Sequence, residues 1–225
     1  MVTLKPKQSI AEVITVGTEL LLGQIVDTNT QHLAQEMARL GINCFYHTTV
    51  GDNVERIIAC IRAALKRADL IILSGGLGPT ADDITKPLLC EYFGGKMIVD
   101  ETAKQNVISI FTRLNRPLIE RNLKQAEVPD VCTVIPNKRG TAPGMWFSKN
   151  GKVFVSMPGV PHEMKGMMED DVIPQLSKQF QLPVILHRTL LTAGVGESFL
   201  ADLIQDFENA LPAHIKLAYL PNYGM

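Results

Sequence analysis

The fold class is decided by one stretch of the chain, Leu70-Ile-Ile-Leu-Ser-Gly-Gly-Leu-Gly-Pro-Thr-Ala-Asp-Asp83. Its apolar start is typical of a strand buried on both faces of a sheet. The three glycines let the backbone turn sharply and approach a ligand, and we expect a helix to begin at the two aspartates. Backbone amides at such a junction favour phosphate, whereas Asp82 and Asp83 repel it, so a divalent cation between them would reconcile the two. The stretch predicts a metal-assisted phosphate or pyrophosphate site; the alternative is a tight turn with Asp82 or Asp83 as N-cap.

Strand and helix patterns alternate around this stretch. Residues 12–16, 44–50 and 70–73 are typical of strands, and helices are predicted between them, near 28–40 and 54–65, and at 84–93. This alternation predicts a parallel sheet with helices on both faces. Further along, the patterns predict a helix at 101–114, a turn at 122–126, strands at 131–135 and 153–157, and a helix at 161–176 with Met164, Met167 or Met168, and Val172 inward.

The composition changes near residues 179–183. Beyond that point the patterns predict a strand at 185–192, a helix at 197–211 and a strand at 215–220. A β-α-β segment of this size can hardly fold alone. We therefore predict an α/β domain at 1–178 and, at 179–225, the β-α-β portion of a second, small α+β domain.

Composition excludes some classes of function. The 225 residues are 46% hydrophobic and carry a net charge of −1, which argues against binding nucleic acid through phosphate neutralisation. The four cysteines, Cys44, Cys60, Cys90 and Cys132, form no CxxC pair, so free thiols are expected. The sequence shows neither a signal peptide nor an apolar run long enough to cross a membrane. We expect a reduced, soluble, cytoplasmic protein without a membrane partner.

Three loops are predicted at the carboxyl ends of parallel strands, where open α/β sheets bind ligands. They are Gly17-Thr18-Glu19, the glycine loop 75–83 and the segment Met157-Pro-Gly-Val-Pro-His-Glu163. Each loop contributes a carboxylate. We therefore predict that Glu19, Asp82 and Asp83 converge on one metal.

Other candidate residues each have an ordinary structural explanation. Lys86 lies one turn beyond Asp82 and could reach a phosphate, or it could be a solvated helix lysine. Asn122 and Lys124 fall in an irregular polar segment, which could equally be a surface turn. Thr141, with Gly140 and Gly144 beside it, could form a second backbone cradle, although turn chemistry explains it as well. The chain lacks the Walker A, HExxH and GxSxG patterns, and Pro79 argues against a dinucleotide-binding role for its GxGxxA match.

Six motifs resemble the CinA family of competence/damage-inducible proteins. They are GTELLLGQIVDTNTQHLA at 17–34, VGDN at 50–53, SGGLGPTADDITK at 74–86, NLKQA at 122–126, GTAPG at 140–144 and MPGVPHEM at 157–164. The resemblance implies a three-layer α/β/α molybdopterin-binding fold, the fold of molybdenum cofactor biosynthesis proteins, with a mostly parallel sheet. It also implies metal-dependent hydrolysis of ADP-ribose to AMP and ribose 5-phosphate, with Mg²⁺, Mn²⁺ or Co²⁺ as cofactor.

The resemblance also suggests which residues act. It implies Asp82, Asp83 and Glu19 as metal ligands and catalytic groups, with Lys86 or Lys124 stabilising charge on phosphorus. Substrate-binding residues would come from the same motifs: Gly17, Thr18, Gly75, Gly76, Gly78, Thr80, Asn122, Lys124, Gly140, Thr141 and Gly159. Met157 and Val160 depart from the family pattern without changing a charge. A homodimer is expected.

Two other functions remain open. The same fold serves proteins that bind an anionic pterin, and the chain could instead be a folding and dimerisation platform. Many CinA proteins continue into a domain that deamidates nicotinamide mononucleotide, and because the printed sequence has nothing after Met225, we expect this chain to lack that activity.

Overall fold

The computed structural model describes residues 9–180 and 188–220. The chain divides into two units, Met1–Ile185 and Leu186–Met225. The division falls seven residues after the predicted end of the first domain at 178.

The first unit is built on a six-stranded sheet. Its strands are β1 Ile10–Val16, β2 Asn43–Val50, β3 Leu70–Ser74, β6 Thr133–Ile135, β7 Gly144–Lys149 and β8 Lys152–Met157. Their order across the sheet is β2-β1-β3-β8-β7-β6. Strands β2, β1, β3 and β8 run parallel, whereas β7 and β6 are antiparallel to their neighbours. The predicted, mostly parallel sheet is therefore confirmed. A separate antiparallel pair consists of β4 Met97–Val99 and β5 Glu127–Pro129.

Helices cover both faces of this sheet. Neighbouring residues of β1 show the arrangement, since Val13 and Ile14 are fully buried but belong to two different apolar clusters. One cluster includes Leu33 of a helix on its side, and the other includes Ile57 of a helix on the opposite side. The helices of the unit are α1 Thr18–Leu21, α2 Thr28–Arg39, α3 Val54–Arg67, α4 Thr85–Phe93, α5 Glu101–Arg113, α6 Glu120–Leu123, α7 Pro161–Met167 and α8 Ile173–Gln179.

Strand β7 was not predicted from the sequence. It pairs with β8 through a hairpin whose two loop residues, Asn150 and Gly151, both have positive φ (52° and 73°). This is the backbone conformation of a type I′ turn, for which Asn-Gly is a preferred pair. The Asn-Gly pair was therefore an available signal for a hairpin.

The helix predicted at 161–176 is interrupted. A wide π-helical turn, Met168–Val172, separates α7 from α8. Pro174, two residues after this turn, has no backbone N–H and cannot donate the hydrogen bond that a regular helix would require at that position. The predicted inward residues Met164, Met167, Met168 and Val172 are all buried.

The strands predicted in the second unit are not seen. Residues 188–192 and 215–220 are not assigned to any strand, and 185–187 lie outside the described residues. Two short helices, α9 Glu197–Leu203 and α10 Gln205–Asn209, stand where one helix at 197–211 was predicted. Strands need pairing partners, and the described residues of this unit offer none. Nowhere in 9–180 or 188–220 is a helix both long and apolar enough to cross a membrane.

Candidate functional site

A cleft of about 330 Å³ opens at the carboxyl ends of β1, β3 and β8. Its lining comes from all three predicted loops. It includes Gly17 and Glu19 after β1, residues 75–79 with Asp82 and Asp83 after β3, and Gly159 and Glu163 after β8. The structure therefore brings the three loops to one place. Parallel strands end at the same edge of a sheet, which is the physical reason for this convergence.

The glycine loop is held by its backbone. Gly75 has φ +118°, and a Cβ there would lie 2.2 Å from the Val16 carbonyl oxygen. Gly76 has φ +68°, and a Cβ there would meet the Thr85 hydroxyl. The Gly75 amide donates to the Met157 carbonyl at 3.0 Å, which ties the loop after β3 to the end of β8. Only glycine fits these two positions without strain.

Asn29, at the start of α2, joins the end of β3 to the loop after β8. Its amide nitrogen donates to the Ser74 hydroxyl at 3.0 Å and to the Gly159 carbonyl at 2.8 Å. The Ser74 hydroxyl in turn donates to the Pro158 carbonyl at 3.1 Å. These buried hydrogen bonds fix the loop after β8 against the end of β3.

Neither Asp82 nor Asp83 caps a helix, so that alternative is wrong. Helix α4 begins later, at Thr85, with Ile84 as N-cap and no capping side chain. Asp83 instead accepts hydrogen bonds from the Thr80 amide at 2.9 Å and the Thr80 hydroxyl at 2.5 Å. The pKa of Asp82 lies below its ordinary value, chiefly through the Thr80 side chain. Both carboxylates are therefore arranged by the loop rather than by the helix.

Two further carboxylates line the mouth of the cleft beside Gly17. Glu19 folds back over this glycine, where a Cβ would lie 2.4 Å from the Glu19 Oε1 atom. Asp52, which follows β2, accepts hydrogen bonds from the Thr18 amide at 2.9 Å and the Thr18 hydroxyl at 2.8 Å. Asp52 lay in the VGDN motif but was not predicted as a site residue.

The fifth carboxylate of the cleft belongs to Glu163, in the first turn of α7. A Cβ at Gly140 would overlap the Glu163 carboxyl group, so this glycine makes room for it. The Asn137 amide donates to Glu163 Oε2 at 2.7 Å and to the Ala142 carbonyl at 2.9 Å. Sequence reasoning noted Glu163 as the carboxylate of its loop without assigning it a role, and missed Asn137, which no motif marks.

The charged side chains that line the cleft are all acidic. Five carboxylates line it, and no lysine, arginine or histidine is found among the described residues of its lining. However, Glu19, Asp82 and Asp83 do not form the three-ligand metal cluster that was predicted. Within the described part of the chain, no three His, Cys, Asp or Glu side chains are grouped closely enough to hold a metal ion.

Lys86 does not line the cleft. Its side chain is buried, and its ammonium donates to the Gln125 carbonyl at 2.8 Å. Burial lowers the pKa of Lys86 to about 8, opposed by the charges of Glu127, Cys132 and Asp83. Lys86 is thus neither the solvated helix lysine nor a group that faces the cleft.

The NLKQA motif reaches the cleft through Gln125 rather than through Asn122 or Lys124. Asn122 caps its own short helix by accepting from the Ile119 amide at 3.1 Å, and the exposed Lys124 pairs with Glu120. Neither lies in the lining of the cleft, whereas Gln125 does. The Gln125 side chain accepts a hydrogen bond from the Thr141 hydroxyl and donates to the Leu77 carbonyl at 3.5 Å. Gln125 therefore links the glycine loop to the 140–144 loop.

Comparison with known proteins adds three findings. Residues 12–178 match the family described as a probable molybdopterin binding domain. A CinA-like protein of Flavobacterium psychrophilum is 45% identical over 215 residues, which cover 95% of this chain and 51% of that protein. The crystal structure of the protein CinA with unknown function from Thermoplasma acidophilum has a TM-score of 0.66 at 33% identity, covering 76% of this chain and 97% of that one.

A more distant structure shares the fold alone. The tungsten cofactor synthesizing protein MoaB from Pyrococcus furiosus has a TM-score of 0.51 at 18% identity, covering 78% of this chain and 99% of that one. The chain spans about half the length of the curated relatives it matches.

Proposed function

Since the chain belongs to the CinA family and contains its molybdopterin-binding domain, we propose that the acidic cleft hydrolyses the pyrophosphate bond of ADP-ribose with the help of a divalent cation. The molybdopterin-binding fold expected from the sequence is confirmed. The activity itself is the proposal, and it rests on the chemistry of the cleft.

The main support for this proposal is that every charged side chain lining the cleft is acidic. Backbone amides of a glycine loop suit phosphate oxygens. Five carboxylates beside them would repel a bare pyrophosphate. An anionic substrate fits such a cleft when it arrives with a cation that neutralises part of its charge.

The donor set fits a cation of the Mg²⁺ type. Such ions keep several waters and are commonly held by one or two carboxylates together with substrate phosphates, so a ready-made three-ligand cluster is not required. Asp82 and Asp83 would hold the ion, with Glu19 as the third candidate. When bound, a divalent cation supplies charge neutralisation and a lower pKa for water.

The residues of the chain perform the remaining steps. Glycine-loop amides orient the pyrophosphate and stabilise the charge that develops on phosphorus. When Glu19 is not a ligand of the ion, its carboxylate takes a proton from the attacking water. As the water oxygen bonds to one phosphorus, the bond from that phosphorus to the bridging oxygen breaks. The products are AMP and ribose 5-phosphate. Lys86, whose ammonium is held against the Gln125 carbonyl, positions Gln125 rather than contacting the substrate.

The test is a product assay with a matched variant. The purified chain is incubated with ADP-ribose and Mg²⁺, Mn²⁺ or Co²⁺, and AMP is followed by chromatography. We expect release of AMP that EDTA abolishes and that the Asp82→Asn/Asp83→Asn double variant lowers by at least about 100-fold. Glu91→Gln, which alters an exposed carboxylate on α4, is the control and should retain the rate.

Two results would overturn the proposal: undiminished turnover in the double variant, or no AMP with any of the three ions. The second result would favour pterin binding, which the family match to a probable molybdopterin binding domain supports as the alternative. Co-purification of a fluorescent pterin would point the same way. Inactivity together with binding of neither ligand would leave a scaffold role. A homodimer remains part of the proposal, and sedimentation of the same sample tests it.

A further inference from the structure

A second cavity lies beside the acidic cleft, between the start of α5 and the segment that joins β6 to β7. It encloses about 190 Å³. Its walls are largely apolar and include Ala103, Val134, Pro136 and Pro143. This lining contrasts with the carboxylates of the neighbouring cleft and suits a flat, weakly polar ring rather than a phosphate.

The two cavities adjoin each other. Thr141 lines both of them. Asn137 lines the second cavity and donates to Glu163, which lines the cleft, at 2.7 Å. A pocket that encloses a whole small-molecule ligand typically measures roughly 300–1,000 Å³, so the smaller cavity would hold one fragment of a ligand whose charged part lies in the cleft.

Asn106 and Asp100 present acceptors to the second cavity, whereas the Lys138 ammonium, whose side chain also lines it, donates to Asp170 at 3.4 Å. The Asn106 amide nitrogen donates to the Asn137 carbonyl at 2.9 Å and to the Gly140 carbonyl at 3.0 Å. Because both amide hydrogens are used, only the Asn106 Oδ1 atom is left for a ligand, and it accepts. Asp100 also lines the cavity; one of its oxygens accepts from the Ala103 amide at 2.7 Å. Acceptors of this kind suit a ring that bears an amino group.

We propose that this second cavity binds the adenine base of the nucleotide whose pyrophosphate occupies the acidic cleft. This inference rests on the proposed function for the position of the pyrophosphate. It adds the subsite that distinguishes a nucleotide from other pyrophosphates. An amino-substituted ring could also come from a pterin, so the experiment contains an arm for each source.

The experiment places a large side chain at the rim of the cavity and measures the binding of nucleotide ligands. Thr102 is exposed and lines the cavity, so Thr102→Trp should block it without disturbing the core. Gln105→Trp places the same side chain at an exposed position of α5 outside the lining and is the control. Val134→Phe fills the cavity from another wall and serves as the second variant. Thermal unfolding confirms that each variant is folded.

Affinities for AMP and for ribose 5-phosphate are measured in Mg²⁺ by calorimetry. We expect Thr102→Trp and Val134→Phe to weaken AMP binding by about tenfold or more and to leave ribose 5-phosphate unchanged. With ADP-ribose as substrate, KM should rise while kcat changes little. The Gln105→Trp control should match the unaltered chain.

The outcomes separate this inference from the proposed function. If the unaltered chain binds AMP but hydrolyses nothing, and the two variants lose AMP binding selectively, the base subsite is supported and the proposed hydrolase activity is contradicted. Equal loss of AMP and ribose 5-phosphate, unchanged AMP affinity in both variants, or no AMP binding to the unaltered chain would overturn the subsite. Binding of 6-hydroxymethylpterin in preference to AMP would overturn the assignment to adenine.

Discussion

Three glycines each lie directly against a carboxylate that lines the cleft. A Cβ would come within 2.4 Å of a Glu19 oxygen at Gly17 and within 2.5 Å of an Asp83 oxygen at Gly78, and it would overlap Glu163 at Gly140. None of these three glycines has a φ in the left-handed region that favours glycine. Their role is therefore steric, because the missing side chain leaves the space that each carboxylate occupies. At the scale of single residues, glycine sets the positions of the acidic groups as well as the turns.

Lys86 should make stability depend on pH in alkaline solution. Burial lowers its pKa from 10.5 to about 8, so below about pH 8 the folded protein bears the full cost of a buried ammonium. As the pH rises from about 8 to 10.5, the unfolded chain binds more protons at this position than the folded one, and stability increases. We expect the free energy of unfolding to gain about 2 kcal/mol between about pH 7 and pH 9.5, relative to Lys86→Met.

Urea unfolding of both proteins at several pH values measures this difference. The comparison with Lys86→Met cancels the titration of other groups. Lys124→Met removes an exposed lysine and should show no pH-dependent difference from the unaltered chain. A constant difference between the unaltered chain and Lys86→Met across the range would mean that Lys86 is not desolvated in solution.

At the scale of elements, β1 contains a fully buried charge. Glu12 is 0% exposed and accepts from Arg67 at the end of α3, with distances of 2.8 Å from Nε and 2.7 Å from a terminal nitrogen. Thr48 of β2 donates to the same carboxylate at 2.8 Å. The guanidinium also lies 3.9 Å from the centre of the Tyr46 ring. This group of contacts joins α3 to the edge of the sheet.

Arg67→Ala should destabilise the fold because it leaves the buried Glu12 carboxylate without its cation. Because the Arg67 side chain is 40% exposed, we expect a loss smaller than that for a fully buried ion pair but clearly larger than that for a surface substitution. Chemical denaturation measures it. Arg62→Ala, at an exposed position of the same helix, should change stability by less than about 0.5 kcal/mol. Replacing both partners, as Glu12→Met/Arg67→Met, should recover much of the loss; equal losses in single and double variants would contradict this explanation.

The elements that the sequence predicted well are those with strong periodicity. The apolar run at β3 and the helical faces of α2 and α3 need only local patterns, and they suffice to predict a parallel sheet. Strand β4 was missed because it is short and exposed, and its pairing with β5 joins residues about thirty positions apart. The π turn before Pro174 depends on packing of Met168 and Val172 into the core, which no local rule describes.

The site shows the same division between local and distant information. The three loops were predictable because topology brings the ends of β1, β3 and β8 together. The carboxylates of Glu19, Asp82 and Asp83 were also predicted, and they line the cleft. The contribution of Asp52 and the turn of Lys86 away from the cleft were not, because both depend on hydrogen bonds between distant segments. Lys86 turns to the Gln125 carbonyl, and Gln125 turns to Thr141. The sequence offers no spacing rule for such contacts between distant segments.

At the scale of the whole molecule, the net charge of the chain does not indicate the local charge of the cleft. The chain carries 22 basic and 23 acidic residues, so its composition gives no sign that five carboxylates share one opening. Basic side chains lie elsewhere; Arg139, for example, pairs with Asp170 at 3.0 Å. A small anion therefore meets a local field that opposes its binding, although the protein as a whole is nearly neutral. This distribution of charge is the reason for our proposal that a divalent cation accompanies the anion.

The division into two units leads to a prediction about the first. Every residue that lines the cleft or the second cavity belongs to the unit Met1–Ile185. That unit also contains both apolar clusters and all described strands of the sheet. A chain that ends at Ile185 should therefore unfold cooperatively and retain the metal-dependent release of AMP from ADP-ribose at a rate within about threefold of the full chain, a difference of roughly 0.7 kcal/mol. Calorimetry and the chromatographic assay, run on both chains at equal concentration, measure the two quantities. A shortened chain that folds but has lost at least about 100-fold in rate would show that residues 186–225, from the same or a second copy, complete the site.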